Sequence, residues 1–578
     1  MDHRDKILAS RGEIKADTVL QHCRIVNVNT KEVNDADIAI TSGYIVGIGD
    51  VSDLIDVSTE IIEVDLRFVS PGLLDGHVHF ESSMVTLSQF ARKALEHGTT
   101  CVVIDPHEIA NVLGKRGIEL VLEEAKTLPL NIFAVISSCV PATPFETAGA
   151  SIDEADIRSL MDNEMVVGLG EVMDFPGVLF GDYRKLAMIQ AALERGLVVD
   201  GHAPGLTGRD LWGYMAGGIS TDHESITYEE ALEKLRMGMK LMLREGSAAK
   251  SLDIFLPRLL EDGVSLENVF FVTDDKHPAD LLEGYMDVIV RKAIQIGLDP
   301  LVAVSMCTLN TARHYHIDHL VGSISIGRRA DLVILDDLES FRIHSVMAGG
   351  ERVETQVPAF DYPDFVFDTI RYREIIPEDL QIIGAPDSRV LVNVIKVFPD
   401  QIFTKKDNAA LITGRTGVLL SDVKKDILST AVIERHGKNG NIGLGFVRGF
   451  GLRSGAFAQS IGHDSHNVIV TGTNHADMAL AANTIHEMKG GIVLVQDGQV
   501  LDRLPLPFAG LLSVRPVEEV ASKLERLHSV IWDMGCTLPS PFITHSFIPL
   551  PVIPELRLTD MGLFDVERFE IIGVVDYL

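Results

Sequence analysis

His77-Val78-His79 closes the apolar run GLLDGHVH. In a strand, residues i and i+2 project from the same face, so both imidazoles can reach one metal ion. The triplet alone carries little weight. With 20 histidines in 578 residues, about 0.7 such triplets arise from composition. A second one, His314-Tyr315-His316, lies in a helix-like stretch and reads as surface. Context separates the first: a Val- and Leu-containing strand, Pro71-Gly72 before it and Asp75 beside it. Four later apolar runs end in the same way. Glu171 ends GLGEV, His202 ends VVDGH, His223 ends STDH and Asp274 ends FFVTD. Imidazoles and carboxylates are harder donors than thiolates and suit Zn, Mn or Fe(II). Six of them can serve two divalent metals bridged by a carboxylate, and such a centre makes a water molecule nucleophilic near neutral pH.

Other polar clusters border these positions. Glu81 follows the first run in ESSM, and Asp105-Pro106-His107-Glu108 ends the second. Glu108 reads equally as an early-helix residue at the positive dipole end, or, with Glu81 and His107, as a contact for substrate or a further metal. Strand alternation turns Glu224 away from His223 towards the helices, with contact to substrate or a further metal as its alternative. Asp275 is the alternative to Asp274, because a one-residue change of register exchanges the two faces. Arg244 reads as an ion-pair partner for the acidic rim, Asp200 as a hydrogen-bond partner behind His202, and Trp212 and the 17 methionines as packing.

These residues need a scaffold that brings many strand ends together. Eight Val- and Ile-rich runs occur between 70 and 276: GLLDGHVH, TTCVVIDPHE, NIFAVISSCV, MVVGLGEV, GLVVDGHAP, GISTDHE, KLMLREGS and VFFVTDD. Amphipathic segments such as LSQFARKALEHG and YRKLAMIQAALERG separate them. Near-continuous apolar strands alternating with helices predict a parallel sheet covered by helices. Eight repeats predict an α/β fold of the closed (β/α)₈ type, in which chemistry sits at the C-terminal strand ends. Short strands at 19–66 and again at 320–356 predict a small β-sandwich-like domain built from 1–70 and 320–375, on either side of a metal-dependent barrel at 71–319. From 376 to 578 the texture is that of a mixed α/β domain with many short strands and no Walker loop. Within it, Gly462-His463-Asp464-Ser465-His466-Asn467 joins the apolar runs FAQSI and VIVTG. It reads either as a solvated turn or as a loop reaching over the barrel mouth, where His463, Asp464 or His466 would meet substrate or a further metal.

Longer motifs carry a family resemblance. DIAI-x₃-Y-I-V-G-I-G, PGLLDGHVH and GSISIGRRADLVIL resemble the amidohydrolase superfamily. HVHFESSM, DPHEIANVLG, GEVM, DGHAPGL, TDHES, VTDDKHP and GHDSHN are similar to the adenine deaminase family within it. The likeness runs over essentially the whole chain, with Asp75-Gly76 standing where Asp-Ala is common. It implies His77, His79, His202 and His223 as metal ligands, and Glu171 as a bridging ligand where many relatives have a carbamylated lysine. Asp274 would be both ligand and proton carrier, serving an iron or manganese pair. The implied activity is metal-dependent hydrolysis of adenine to hypoxanthine and ammonia, in purine salvage or catabolism. The same centre could instead open a cyclic amide, although a glutamate bridge and the long motifs speak against it. An inactive scaffold would be expected to have lost ligands.

Composition narrows the partners. Lys+Arg 51 against Asp+Glu 83 leaves a net charge of −32, which repels phosphate backbones and anionic lipid. A small-molecule substrate is therefore expected, with neither nucleic acid nor membrane as partner. Five scattered cysteines without C-x-x-C spacing fit a reducing compartment. The charged N-terminus lacks the apolar core of a signal peptide. A cytoplasmic homo-oligomer is the expectation.

Overall fold

The computed structural model describes residues 1–247, 249–353, 358, 360–399 and 401–576. Part of the predicted 320–375 segment (354–357 and 359) lies outside them. All eight predicted runs are strands: β1 Leu73–His79, β2 Thr99–Ile104, β3 Asn131–Ser137, β4 Val166–Val172, β5 Val198–Gly201, β6 Thr221–Asp222, β7 Lys240–Arg244 and β8 Val269–Val272. The order β5-β4-β3-β2-β1 forms one parallel ladder and β6-β7-β8 another. The Ser220 amide donates to the Val199 carbonyl at 2.9 Å between the two. β1, β2 and β4 are buried along their whole length, which is why their sequences do not alternate. Alternate positions feed two cores. Val102, Ile104, Ile132 and Ala134 join the large core shared with the helices. Cys101, Val103, Val135 and Val167 pack with Leu74 and Tyr315. This is an α/β barrel.

The last seam matters for the site. β8 stops at Val272, and the chain resumes as Asp274–Asp275 pairing in parallel with Val78 and His79 of β1. At the break, the Thr273 amide (3.2 Å) and hydroxyl both donate to Asp75, which also accepts from the Tyr285 hydroxyl at 2.6 Å. Asp75 therefore ties the barrel seam. Asp274 has φ +62°, a left-handed conformation uncommon outside glycine that turns its side chain off the regular alternation.

An eight-stranded sheet joins Thr18–Asn27, Glu32–Thr41, Tyr44–Gly49, Glu60–Glu63 and Phe68–Pro71 to Leu332–Asp337, Arg342–Ala348 and Glu351–Arg352. Residues 320–331, expected to continue the β texture, form turns and coil instead. Phe68–Pro71 runs directly into the barrel and pairs antiparallel with Leu332–Asp337, so this sheet grips β1 at its N-terminal end. Beyond 380 a nine-stranded mixed sheet carries the helix His475–Glu487 on its surface. In that sheet Ala456–Gln459 and Val468–Gly472 are antiparallel neighbours, and residues 462–467 lie in the connection between them. The large core runs without a break from barrel residues to Phe457, Leu527 and Leu556.

Two expectations of burial need correction. Trp212 is 54% exposed, and Met237 and Met561 are partly exposed at 47% and 40%, because each sits on an outward helix or turn position. His314 is buried, contrary to the surface reading. The helix Leu309–His314 turns its last residue inward, where His314 Nε2 lies 2.9 Å from Asp200 Oδ1.

A candidate metal centre at the barrel mouth

β1 ends with His77 and His79 on one face, and Glu171, next to last in β4, stands opposite them. His77 Nε2 and His79 Nε2 each lie 2.8 Å from Glu171 Oε1 and 3.2 Å from one another. The other carboxylate oxygen, Oε2, is 3.2 Å from His202 Nδ1. His223 Nε2 stands 4.0 Å from Glu171 Oε1 and 3.9 Å from Asp274 Oδ2, and Asp274 Oδ1 is 3.4 Å from His79 Nε2. The six sequence candidates thus converge on one point, and all but the partly exposed His202 are buried.

The backbone around them is held by polar groups no motif announced. His79 Nδ1 is 3.0 Å from the Asp105 carbonyl, so a proton there leaves Nε2 free as a ligand. The Tyr214 hydroxyl donates to the Val172 carbonyl at 2.7 Å and accepts from the His202 amide at 3.1 Å, tying the ends of β4 and β5. Buried Lys234 donates to Asp222 (2.9 Å), Glu230 (2.6 Å) and the Ala203 carbonyl (2.8 Å), while Asp222 accepts from the Ala203 amide at 3.0 Å. That network joins the residues beside His202 and His223.

Asp200 does not stand behind His202, as was expected. Its oxygens accept from Thr221 and Tyr315 and face His314, because its side chain turns into the barrel. Glu224 does not face the helices either. β6 ends at Asp222, so alternation no longer governs residue 224, and its carboxylate ion-pairs with Arg244 and lies 3.8 Å from His223 Nε2. Arg244 also pairs with Asp274, as an ion-pair partner for this rim should.

Burial tends to raise the pKa of Glu171, but His79, His202 and His77 overcome it and hold the carboxyl well below its usual range. Burial pushes His223 down to about 3, leaving a neutral imidazole with a lone pair. His77 Nδ1 and both ring nitrogens of His223 are buried without a hydrogen-bond partner. Imidazoles and carboxylates crowded within hydrogen-bond distance, with buried ring nitrogens left without a partner, fit divalent-cation ligation better than a network of hydrogen bonds. The residues present fit a metal centre.

A second group adjoins the first. Glu108, His463 and His466 form another potential ligand triad. His463 Nδ1 is 3.7 Å from Glu108 Oε1 and His466 Nε2 is 4.0 Å from Glu108 Oε2. His107 Nε2 lies 4.0 Å from Asp464 Oδ1, and its ring centroid is 4.5 Å from that of His79. The solvated-turn reading of 462–467 is therefore overturned: Asp464 and His466 are buried against the barrel. Glu81 accepts from the Ile109 amide at 3.3 Å, and Asp275 accepts from the Ser82 hydroxyl. Both face a chamber beside Glu108 and His463. Burial raises Glu108 to about 7.

One cleft joins the two groups. His79, Glu171, His202, Glu224, Arg244 and Asp274 line its floor, while Ile402, Phe547, Leu550, Val552 and Ile553 line it from the C-terminal half. Sequence reasoning missed these apolar residues. FIPLPVIP was the only signal for Phe547, Leu550, Val552 and Ile553, and an apolar run does not say what it covers.

Known proteins agree with this architecture. Residues 68–353 match the Amidohydrolase family and residues 401–570 the Adenine deaminase C-terminal domain. The chain is 64% identical over 576 residues to an adenine deaminase of Methanococcoides burtonii, covering 100% of this chain and 99% of that one. It is 44% identical to an adenine deaminase of Moorella thermoacetica, covering 99% and 98%. The chain belongs to the adenine deaminase family. Among solved structures, similarity extends to an enamidase of the amidohydrolase superfamily, with 20% identity, 59% and 96% coverage and a TM-score of 0.47. A zinc-bound adenosine deaminase from Xanthomonas campestris gives 16% identity, 60% and 95% coverage and the same TM-score. The family assignment rests on the full-length relatives.

Proposed function

We propose that the chain hydrolyses adenine, water adding at C6 and N6 departing, to give hypoxanthine and ammonia. The observation that carries this reading is the convergence of four histidines, Glu171 and Asp274 at the C-terminal barrel rim in a chain of this family. Two divalent ions, Mn or Fe(II) with Zn as an alternative, would be held by His77, His79, Glu171, His202, His223 and Asp274, and would supply the acidity that turns water into a nucleophile near neutral pH. The two oxygens of Glu171 face different histidines, the arrangement a bridging ligand needs.

Asp274 takes one proton of the attacking water and passes it to a ring nitrogen as oxygen adds at C6; the proton left on the new C6 hydroxyl then moves, through Asp274 or a neighbouring acid, to the amine, which departs as ammonia while C6 becomes a carbonyl. Arg244 holds that carboxylate in place and pairs with Glu224. Without ring protonation, electron density pushed into the purine has no outlet and the amine leaves poorly. Phe547, Leu550, Val552 and Ile553 form an apolar wall for a flat heteroaromatic base and keep bulk water from the developing charge. Glu81, His107, Glu108, Asp275, His463, Asp464 and His466 supply donors and acceptors for the purine edges or ligands for a further metal.

The corresponding division of labour is a barrel at 71–319, a small β domain from 1–70 and 320–375, and a covering domain at 376–578. Five buried free thiols support a reducing, cytoplasmic setting, where release of hypoxanthine serves purine salvage or catabolism. Exposed Phe180, Tyr183 and Trp212 support a homo-oligomer. No described helix is long and apolar enough to cross a membrane. The deciding experiment is metal analysis of purified protein alongside ammonia release from adenine, adenosine and cytosine. Activity on a cyclic amide instead of adenine would overturn the reading.

A further inference from the structure

The loop 138–153 leaves β3 and makes a set of buried contacts outside the metal cluster. Thr147 commits all its polar groups to the C-terminal half. Its amide and hydroxyl donate to Asp560 Oδ1 (2.9 Å) and Oδ2 (2.7 Å), its carbonyl accepts from Asn467 Nδ2 (2.9 Å), and its hydroxyl oxygen accepts from Asn439 Nδ2 (2.9 Å). Asn467 Oδ1 in turn accepts from the Arg435 amide at 3.2 Å. One residue earlier, buried Glu146 accepts from the Ser465 hydroxyl through Oε2 and from the Thr143 amide at 3.0 Å through Oε1.

The same loop grips the barrel side. The amides of Gly149 (2.7 Å) and Ala150 (3.2 Å) donate to the carbonyl of Asn111, in the helix that carries His107 and Glu108. The loop therefore spans both halves of the second polar cluster: the helix bearing Glu108 and the turn bearing His463, Asp464 and His466. It fixes the distance between them by direct hydrogen bonds to each. Glu108 lies 3.7 Å from His463, and slippage of about 1 Å is enough to lose productive alignment.

We propose that Thr147, with Asp560 and Glu146, is a positioning residue for the reaction: this clamp sets the 463–466 turn against Glu108 and His107 over the barrel mouth. The inference rests on the adenine-hydrolysis reading above. Among the described residues, Thr147 hydrogen-bonds to no candidate metal ligand at the barrel rim, so the primary cluster does not depend on it. The buried acid Asp560 makes the contact directional, since it accepts from both Thr147 donors at once.

The test compares Thr147→Val, which removes the hydroxyl at constant shape, with Thr147→Ser, which keeps it. Asp560→Asn is a second variant should the valine protein fold poorly. Adenine kinetics, metal per chain, and hydrogen exchange of the 462–467 amides are read together. The expected result is faster exchange in 462–467 and kcat/KM lower by about tenfold or more, mostly in kcat, with metal per chain unchanged. Thr147→Ser should stay near wild type. Unchanged exchange, or faster exchange with wild-type kcat/KM, would overturn the clamp while leaving adenine hydrolysis standing. A wild-type protein inactive on adenine would instead remove that reading, and with it the clamp's role in catalysis.

Discussion

Glu171 and Asp274 are the two carboxylates whose roles separate most clearly by geometry. Glu171 meets three imidazoles at 2.8–3.2 Å with both of its oxygens. Asp274 lies at the edge of the cluster, joined to Arg244 and facing His79 and His223. With two cations held there, as proposed, a neutral amide in place of Glu171 would not offset their repulsion. Glu171→Gln is therefore expected to lower metal per chain, read by elemental analysis of the purified variant, and a full complement would contradict bridging. Asp274→Asn keeps shape and one oxygen but carries no proton. Its kcat should fall by about 10²–10⁴-fold while circular dichroism stays native. Near-normal turnover, with Asp275→Asn dead instead, would move the proton carrier one residue along.

Elements hold these side chains through short, buried connections. The ends of β5 and β6 depend on Lys234, whose ammonium serves Asp222, Glu230 and the Ala203 carbonyl without exposure to solvent. Removing one partner of such a group leaves buried charge uncompensated. Lys234→Met should cost about 3–5 kcal/mol in denaturant unfolding and disturb His202 and His223 together. A stability loss below about 1 kcal/mol, the level of an exposed pair, would show that the network is slack. The connection 462–467 is a different kind of element, a turn pressed onto the barrel from another sheet. His463→Ala or His466→Ala is expected to impair adenine turnover far more than thermal stability. Wild-type kinetics in both variants would leave the barrel alone responsible for the chemistry.

At the scale of the whole molecule, the barrel supplies the floor of the cleft and the C-terminal half its apolar cover. The full-length relatives are adenine deaminases, so the free base is the expected substrate. Ammonia release from adenosine at a rate comparable to adenine would refute this. Among the described residues, the small sheet contributes nothing to the cleft lining. Its antiparallel pairing at Phe68–Pro71 anchors β1 at the end opposite His77 and His79, which keeps the strand from sliding along the barrel axis.

Eight apolar runs, each ending in or beside polar residues that are mostly acids or histidines, were enough to read the barrel and its six convergent residues from the sequence. Strand period and burial are local properties, and a parallel barrel brings every strand end to one rim. Glu224 escapes such a reading because alternation does not extend past the end of a two-residue strand. Asp200 and His314 escape it because inward packing depends on a helix more than a hundred residues away. Asp274 places a carboxylate oxygen 3.4 Å from His79 Nε2 from a left-handed turn that no residue pattern marks. The GHDSHN segment was legible as a turn with two possible places, solvent or barrel mouth, and the apolar cover only as an apolar run. Their position over the barrel mouth comes from packing between distant segments, an energy that belongs to the folded surfaces together and to no stretch of chain alone.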